Sequence, residues 1–281
     1  MVYGKVNTNA RYDMEIGVST ASYFNKMQNE DAVLDIGAHG VRVCELFLNS
    51  FSEYEPDFIA LLNERMARAK LRAYSIHPMG TQFEPQLFSL HPRQRGDAWK
   101  LYEKVLRCGK LLNASHYVMH GFASMSGTVR NVGLDRIGPI LTDLAAMAKD
   151  YGVQLTVENV SWCMFSTPDF GVRLLDKIGG GKVKFTLDVK QSIRSGCTPL
   201  QFIDAVGDEI VNLHLCDAQV AADGGFQLRM PGEGNVDFAA VRDALAAHGY
   251  SGPAFIEVYS DMYAETQGIY LSLDRMKRVF S

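Results

Sequence analysis

The chain has 281 residues, of which 47% are hydrophobic and 21% charged, as in an ordinary globular protein. Its formal net charge of −4 argues against a nucleic-acid backbone as the main ligand, because neutralising phosphates requires clustered Lys and Arg. Its five cysteines are scattered without a C-x-x-C pair, which argues against a disulfide framework or a structural zinc site. We expect a cytoplasmic protein, because no apolar run reaches about 18 residues and the polar N-terminal segment lacks the apolar core of a signal peptide.

Short β-rich runs alternate with longer helical patterns along the chain. The predicted strands cover residues 14–20, 41–47, 71–77, 116–122, 153–159, 183–189, 210–217 and 253–259. Between them, segments such as 57–70, 98–112, 134–152 and 238–250 carry apolar residues at helical spacing. Pro168 and Pro199 each follow a threonine, which is typical of the first turn of a helix.

Eight such strand–helix units favour a parallel sheet, because parallel strands need long crossover connections. Eight units in about 250 residues are the number found in a TIM (β/α)₈ barrel. A doubly wound open sheet is the alternative, but no G-x-G-x-x-G turn follows the first strand. No linker or low-complexity tract interrupts the pattern, so we predict one domain over residues 1–281.

Acids and histidines recur where the predicted strands end. They are Glu45, His77, His120, Glu158, Asp188, His214, Asp217 and Glu257. In a barrel these strand ends converge on one mouth, where such enzymes keep their chemistry. Several carboxylates buried together are costly unless a cation compensates them. We therefore predict one divalent-metal site. Glu158, Asp188, His214 and Glu257 each follow a β-branched or apolar run, and three carboxylates with one imidazole favour Mn²⁺, Mg²⁺ or Co²⁺, with Zn²⁺ left open.

The ordered set of Glu158, Asp188, His214 and Glu257 on strands 5 to 8 resembles the xylose isomerase-like superfamily of sugar isomerases and epimerases. The segment PGEGNVDF (residues 231–238) is similar to its G-x-G-x-[IV]-[DN] turn, and HLCD (residues 214–217) to its H-x-x-D motif. The resemblance covers nearly the whole chain. It implies that these four residues bind the metal and that Glu158 and Glu257 also exchange the substrate proton.

The superfamily also contains endonuclease IV, with three zinc ions, and His77 and His120 resemble two of its ligands. Two further ligand motifs of that enzyme are incomplete or absent here. Gln191 stands where that enzyme has a histidine, and residues 226–228 (FQL) offer no D-x-H. A metal-dependent phosphodiesterase is therefore the weaker hypothesis.

The resemblance implies a metal-dependent isomerase or epimerase of sugars, sugar phosphates or keto-polyols that acts by proton transfer through a metal-bound enediolate. An inosose dehydratase-like lyase is an alternative, since it begins with the same proton abstraction. The expected partner is a small sugar or polyol, with no nucleic acid or membrane and with a homo-oligomer left open. The residues assigned to substrate binding are His77, His120, Gln191, Asp217, Glu45 and Trp162, and a second metal is the alternative ligand of His77 and His120. Lys190 could bind a carboxylate or phosphate, but it is interpreted as a solvent-exposed lysine.

Overall fold

The computed structural model describes residues 14–123 and 133–281. Most of the polar N-terminal segment, for which no signal peptide is expected, lies outside these ranges. The strands of the described part are β1 (Ile16–Ser19), β2 (Val43–Leu48), β3 (Arg72–Pro78), β4 (His116–Met119), β5 (Gln154–Glu158), β6 (Lys184–Asp188), β7 (Ile210–Leu215), β8 (Asp217–Val220), β9 (Phe226–Arg229) and β10 (Ala254–Ile256).

Eight of these strands close into a parallel barrel in the order β1-β10-β7-β6-β5-β4-β3-β2. Each barrel strand falls inside or overlaps one predicted strand, so the predicted TIM (β/α)₈ barrel is confirmed. Strands β8 and β9 form a separate antiparallel pair, which the sequence pattern did not predict. This pair follows β7 directly, so β7 ends at Leu215, two residues before the end of the predicted seventh strand.

Helices follow the strands and cover the outside of the barrel. Those of the described residues are α1 (Asn29–Ala38), α2 (Pro56–Ala69), α3 (Glu84–Leu87), α4 (Pro92–Leu111), α5 (Leu134–Asp150), α6 (Pro168–Ile178), α7 (Val189–Arg194), α8 (Pro199–Val206), α9 (Phe238–Ala247) and α10 (Gln267–Val279). Helices α6 and α8 begin with Pro after a threonine N-cap, as predicted. No helix in the described ranges is both long and apolar enough to cross a bilayer.

The barrel strands are buried along most of their length because one face meets the helices and the other meets the barrel interior. Their register brings the predicted site residues together at the C-terminal ends. Asp188 on β6 pairs with His214 on β7, and His214 pairs with Phe255 on β10. Glu257 follows β10 by one residue, so it lies next to the same end of β7.

Candidate metal centre

Four predicted ligands meet at the C-terminal mouth of the barrel. Nδ1 of His214 lies 2.9 Å from Oε2 of Glu257 and 3.3 Å from Oε1 of Glu158. It also lies 3.9 Å from Oδ2 of Asp188. One ligand atom from each of the four residues lies within 4.8 Å of the others. All four side chains are buried. Because their ligand atoms lie so close together, a single cation could contact all of them.

Glu45 lies beneath this cluster and is fully buried. Its carboxylate accepts hydrogen bonds from Ser19 Oγ (3.1 Å), Ser75 Oγ (2.7 Å) and Asn212 Nδ2 (3.0 Å). Its Oε2 also lies 3.0 Å from Nε2 of His214. A carboxylate that accepts the Nε2–H of a histidine leaves Nδ1 with its lone pair directed at a metal. Glu45 thus lies beneath the site with both carboxylate oxygens hydrogen-bonded, and its assignment to substrate binding stays a prediction.

The charges of the cluster depend on each other. Burial opposes ionisation of Glu257, but His214 and Lys190 outweigh it and lower the Glu257 pKa to about 2. Burial raises the pKa of Asp188 to about 7, against the opposing charge of Lys190. Burial also opposes protonation of His214, but Glu257 and Glu45 raise its pKa well above the usual range. Without a metal, the site is therefore held together by ion pairs between carboxylates and cationic side chains.

His77, His120 and Glu158 form a second group that shares Glu158 with the first. The Nε2 atoms of the two histidines lie 2.8 Å apart. Oε2 of Glu158 lies 2.8 Å from Nε2 of His120 and 3.6 Å from that of His77. These three ligand atoms are also close enough for one ion. The geometry therefore fits both sequence hypotheses for the two histidines, substrate binding and a second metal.

A cavity of about 460 Å³ opens above the cluster. Of the four predicted ligands, Glu158 and Glu257 line it, together with His77, His120, Gln191 and Trp162. Trp162 lies at the edge of the cavity and is 43% exposed. Gln191 accepts hydrogen bonds from the backbone N–H and the hydroxyl of Ser161. Four of the six residues assigned to substrate binding thus surround one cavity. A larger hollow of about 700 Å³ near His116 at the opposite end of β4 has no acidic side chain in its lining.

Asp217 lies elsewhere, in the hairpin that follows β7. Its carboxylate accepts hydrogen bonds from the backbone N–H groups of Ala218, Gly232, Gly234 and Val236, at 2.8–3.2 Å. Both oxygens are therefore occupied by the PGEGNV turn. In the fold this carboxylate therefore holds the turn in place, and the assignment of Asp217 to substrate binding stays a prediction.

Lys190 was interpreted as solvent-exposed, but it is 2% exposed and that interpretation is wrong. It lies in the first turn of α7, two residues after Asp188, and its ammonium group donates hydrogen bonds to Asp188 and to Glu257. The sequence hides this because a lysine at the start of a surface helix usually points to solvent.

Sequence reasoning also missed Glu84, a fully buried glutamate in α3. Its Oε2 accepts hydrogen bonds from the backbone N–H groups of His120 and Gly121, both at 2.9 Å, and its Oε1 accepts one from the Tyr117 hydroxyl. It thereby fixes the turn that carries His120. A helical glutamate gives no signal of this role in the sequence.

The polar residues beneath the site, by contrast, can be recognised from their spacing in the sequence. Ser75, Thr156, Thr186 and Asn212 each stand two residues before His77, Glu158, Asp188 and His214, respectively, and all are buried. Residues two apart on a strand face the same side. An inward-facing polar layer could therefore have been predicted from this spacing.

The donor set fits a divalent cation. The Oε2 atoms of Glu158 and Glu257 are buried and accept no well-oriented hydrogen bond, although imidazole nitrogens lie within 2.9 Å of them. Buried carboxylate oxygens without such partners are costly. Carboxylate oxygens and one imidazole nitrogen are ligands that divalent first-row metals and Mg²⁺ accept.

The sequence profile described as xylose isomerase-like TIM barrel matches residues 31–279. The chain belongs to this family. Curated relatives include an uncharacterized protein of Mycobacterium leprae, 32% identical over 84 residues, which are 30% of this chain and 29% of that protein. An uncharacterized protein of Methanocaldococcus jannaschii is 24% identical over 207 residues, covering 73% of this chain and 78% of its own length. The chain thus spans less than a third of the first relative.

Several solved structures share the fold over almost the whole chain. A D-tagatose 3-epimerase-like protein has a TM-score of 0.76 at 20% identity, covering 95% of this chain and 97% of its own. A D-psicose 3-epimerase from Clostridium cellulolyticum H10, determined with D-tagatose, has a TM-score of 0.77 at 16% identity, covering 95% and 100%. The IOLI protein, determined with a zinc atom, has a TM-score of 0.77 at 18% identity, covering 95% and 98%.

Proposed function

We propose that the protein is a divalent-metal-dependent isomerase or epimerase of a sugar or keto-polyol. The observation that carries this proposal is that Glu158 and Glu257 belong both to the ligand cluster and to the wall of the cavity. Both belong to the four-ligand cluster, and both line the cavity above it. The other two predicted ligands, Asp188 and His214, are not part of the cavity lining. Two carboxylates that reach one substrate pocket from separate strands suit the removal and return of a proton.

When bound, a divalent ion would hold adjacent substrate oxygens and stabilise the negative charge that forms as the α-proton leaves. We infer that Glu158, Asp188, His214 and Glu257 would hold it, with Mn²⁺, Mg²⁺ or Co²⁺ favoured. The zinc atom in the similar IOLI structure supports a divalent ion without identifying it here.

The side chains of this protein would perform the proton transfer. One of Glu158 and Glu257 takes the proton from the carbon beside the carbonyl, and the other returns one. Return to the opposite face of the same carbon gives an epimer, whereas return to the neighbouring carbon gives an isomer. Nε2 of His120 lies 2.8 Å from Oε2 of Glu158, so this histidine would help to position that carboxylate. Trp162 and Gln191 would contact the rest of the substrate from the cavity wall.

Deuterium exchange tests this proposal. The Mn²⁺-loaded protein is incubated in D₂O with a panel of ketoses and inososes, and NMR follows deuterium incorporation and the products. We expect exchange at the carbon beside the carbonyl for at least one substrate. Glu158→Gln and Glu257→Gln should each slow conversion at least 100-fold, within the range of ~10²–10⁴ for acid–base groups.

Glu64→Gln is the matched control, because Glu64 is exposed on α2 and its substitution should leave the rate within twofold. Absence of exchange on every substrate with metal-loaded protein would contradict the proposal. So would a Glu158→Gln variant that converts substrate as fast as the original chain.

A further inference from the structure

Lys190 places a positive charge inside the proposed metal centre. Asp188 caps α7 by accepting the backbone N–H of Gln191, and Lys190 is the second residue of that helix. Its side chain, 3% exposed, turns back toward the barrel axis. The ammonium group donates to Oδ2 of Asp188 and, at 2.8 Å, to Oε1 of Glu257. Two of the four proposed ligands are therefore already paired with a cation that belongs to the chain.

The oxygen of Asp188 that Lys190 binds is also the one that faces the centre. Oδ2 of Asp188 is the atom that lies 3.9 Å from Nδ1 of His214. A divalent ion held by Asp188 and Glu257 would thus stand beside the ammonium group. Two like charges so close repel each other strongly where water is excluded. Without the ion, the same ammonium group offsets the repulsion between the two carboxylates.

We propose that Lys190 is a positioning residue with two opposing effects on the metal centre. It holds Asp188 and Glu257 together before the metal binds, and it lowers the affinity of the finished site for the metal. Metal binding is consequently weaker and more readily reversed than four buried ligands alone would give. This inference rests on the proposed function, because it assumes that these four residues bind a divalent ion.

The test compares Mn²⁺ binding by Lys190→Met with binding by the original chain. Dissociation constants are measured by calorimetry at one fixed pH, with a competing chelator where binding is tight. We expect Lys190→Met to bind Mn²⁺ at least tenfold more tightly than the original chain. The substitution removes the repulsion between the ammonium group and the metal ion, which is strong even at an effective dielectric constant of roughly 20. In EDTA the variant should melt at a lower temperature, and saturating Mn²⁺ should raise its Tm by more than that of the original chain.

Arg194→Met is the control, because it removes a positive charge from the same helix outside the cluster. The Arg194 side chain donates a hydrogen bond to the hydroxyl of Tyr259. The dissociation constant of this variant should stay within threefold of the original. Lys190→Gln keeps a hydrogen-bond donor without the charge, and it should also bind Mn²⁺ more tightly. It keeps the test informative if the Met variant does not fold.

Tighter binding is a result that structural damage cannot produce, because a distorted site loses ligands. Equal or weaker Mn²⁺ binding by a folded Lys190 variant would overturn the inference while leaving the proposed function intact. Failure of the proposed function looks different. In that case the original chain itself would bind no divalent metal, or would bind it without exchanging substrate protons.

Discussion

At the scale of single residues, Glu45 is the side chain on which the orientation of His214 depends. It shares its carboxylate among Ser19, Ser75, Asn212 and His214, all of which are buried. A histidine can present either nitrogen to a metal, and the partner of the other nitrogen decides which one. Oε2 of Glu45 lies 3.0 Å from Nε2, and Nδ1 faces the three carboxylates above it.

Replacing Glu45 with glutamine should weaken metal binding without emptying the site of ligands. The amide nitrogen would face groups that already donate hydrogen bonds, so His214 would lose its fixed orientation. We expect the Mn²⁺ dissociation constant to rise by roughly 10- to 100-fold, the usual effect of removing a partner of a metal-bound histidine. Calorimetric titration at fixed pH measures this change.

The matched control for Glu45 is Glu53, another buried glutamate, which accepts hydrogen bonds from Asn29 and from the backbone of Ser50. Glu53→Gln should reduce stability and leave the Mn²⁺ dissociation constant within threefold. An unchanged dissociation constant in Glu45→Gln would show that the orientation of His214 does not depend on this carboxylate.

The four proposed ligands could be selected from the sequence because each is an acid or histidine that ends an apolar strand. Barrel topology then requires such ends to converge, and the structure brings the four within 4.8 Å. Lys190 and Glu84 could not be found in this way. Their places in the site depend on how a helical side chain turns back toward the barrel, and strand periodicity carries no information about that.

At the scale of elements, the β8–β9 hairpin determines where the aspartate of the H-x-x-D motif lies. The H-x-x-D pattern holds both His214 and Asp217, but β7 ends at Leu215 and the chain turns away. Asp217 therefore binds the backbone of the PGEGNV turn. A Cβ on Gly234 would lie 2.3 Å from the carbonyl oxygen of Ala218, so the glycine permits this close approach.

Asp217→Asn should destabilise the fold and leave the metal centre intact. The side-chain amide cannot accept from all of the N–H groups that the carboxylate binds, and charged hydrogen bonds are worth about 1.5–3 kcal/mol each. We expect the free energy of unfolding in urea to fall by about 2–3 kcal/mol, with the Mn²⁺ dissociation constant within threefold of the original.

Asp223→Asn provides the comparison within the same hairpin, because Asp223 is exposed and accepts one N–H, that of Gly225. Its cost should stay below about 0.5 kcal/mol, as for most surface substitutions. A loss of Mn²⁺ affinity in Asp217→Asn of the size expected for Glu45→Gln would instead assign Asp217 to the site.

At the scale of the whole molecule, periodicity sufficed for the barrel because its repeating unit is local. Each strand–helix unit shows its own apolar pattern and capping residues, and closure follows from eight parallel strands in succession. The hairpin interrupts one connection without altering the order of the barrel. Residues 226–229 (FQLR) do alternate apolar and polar side chains, but the strand is four residues long and none of its side chains is buried. Four residues are the shortest run over which alternation indicates a strand, so the pattern was too short to reveal this one.

Metal binding should stabilise the entire barrel, because its ligands come from four different strand ends. At a free Mn²⁺ concentration 100 times the dissociation constant, one site adds about 2.7 kcal/mol to the free energy of unfolding. For a chain of this size we expect a rise in Tm of roughly 5–10 °C, reversed by EDTA and absent in Asp188→Asn. Differential scanning calorimetry measures the shift, and metal analysis after gel filtration gives the number of ions.

We expect one Mn²⁺ per chain, held by Glu158, Asp188, His214 and Glu257. His120→Gln should keep that one ion, because His120 belongs only to the second group with His77 and Glu158. Two ions in the original chain and one in His120→Gln would contradict the single-metal proposal. That result would make Glu158 the residue shared by two metals, and His77 and His120 would then be ligands instead of substrate contacts.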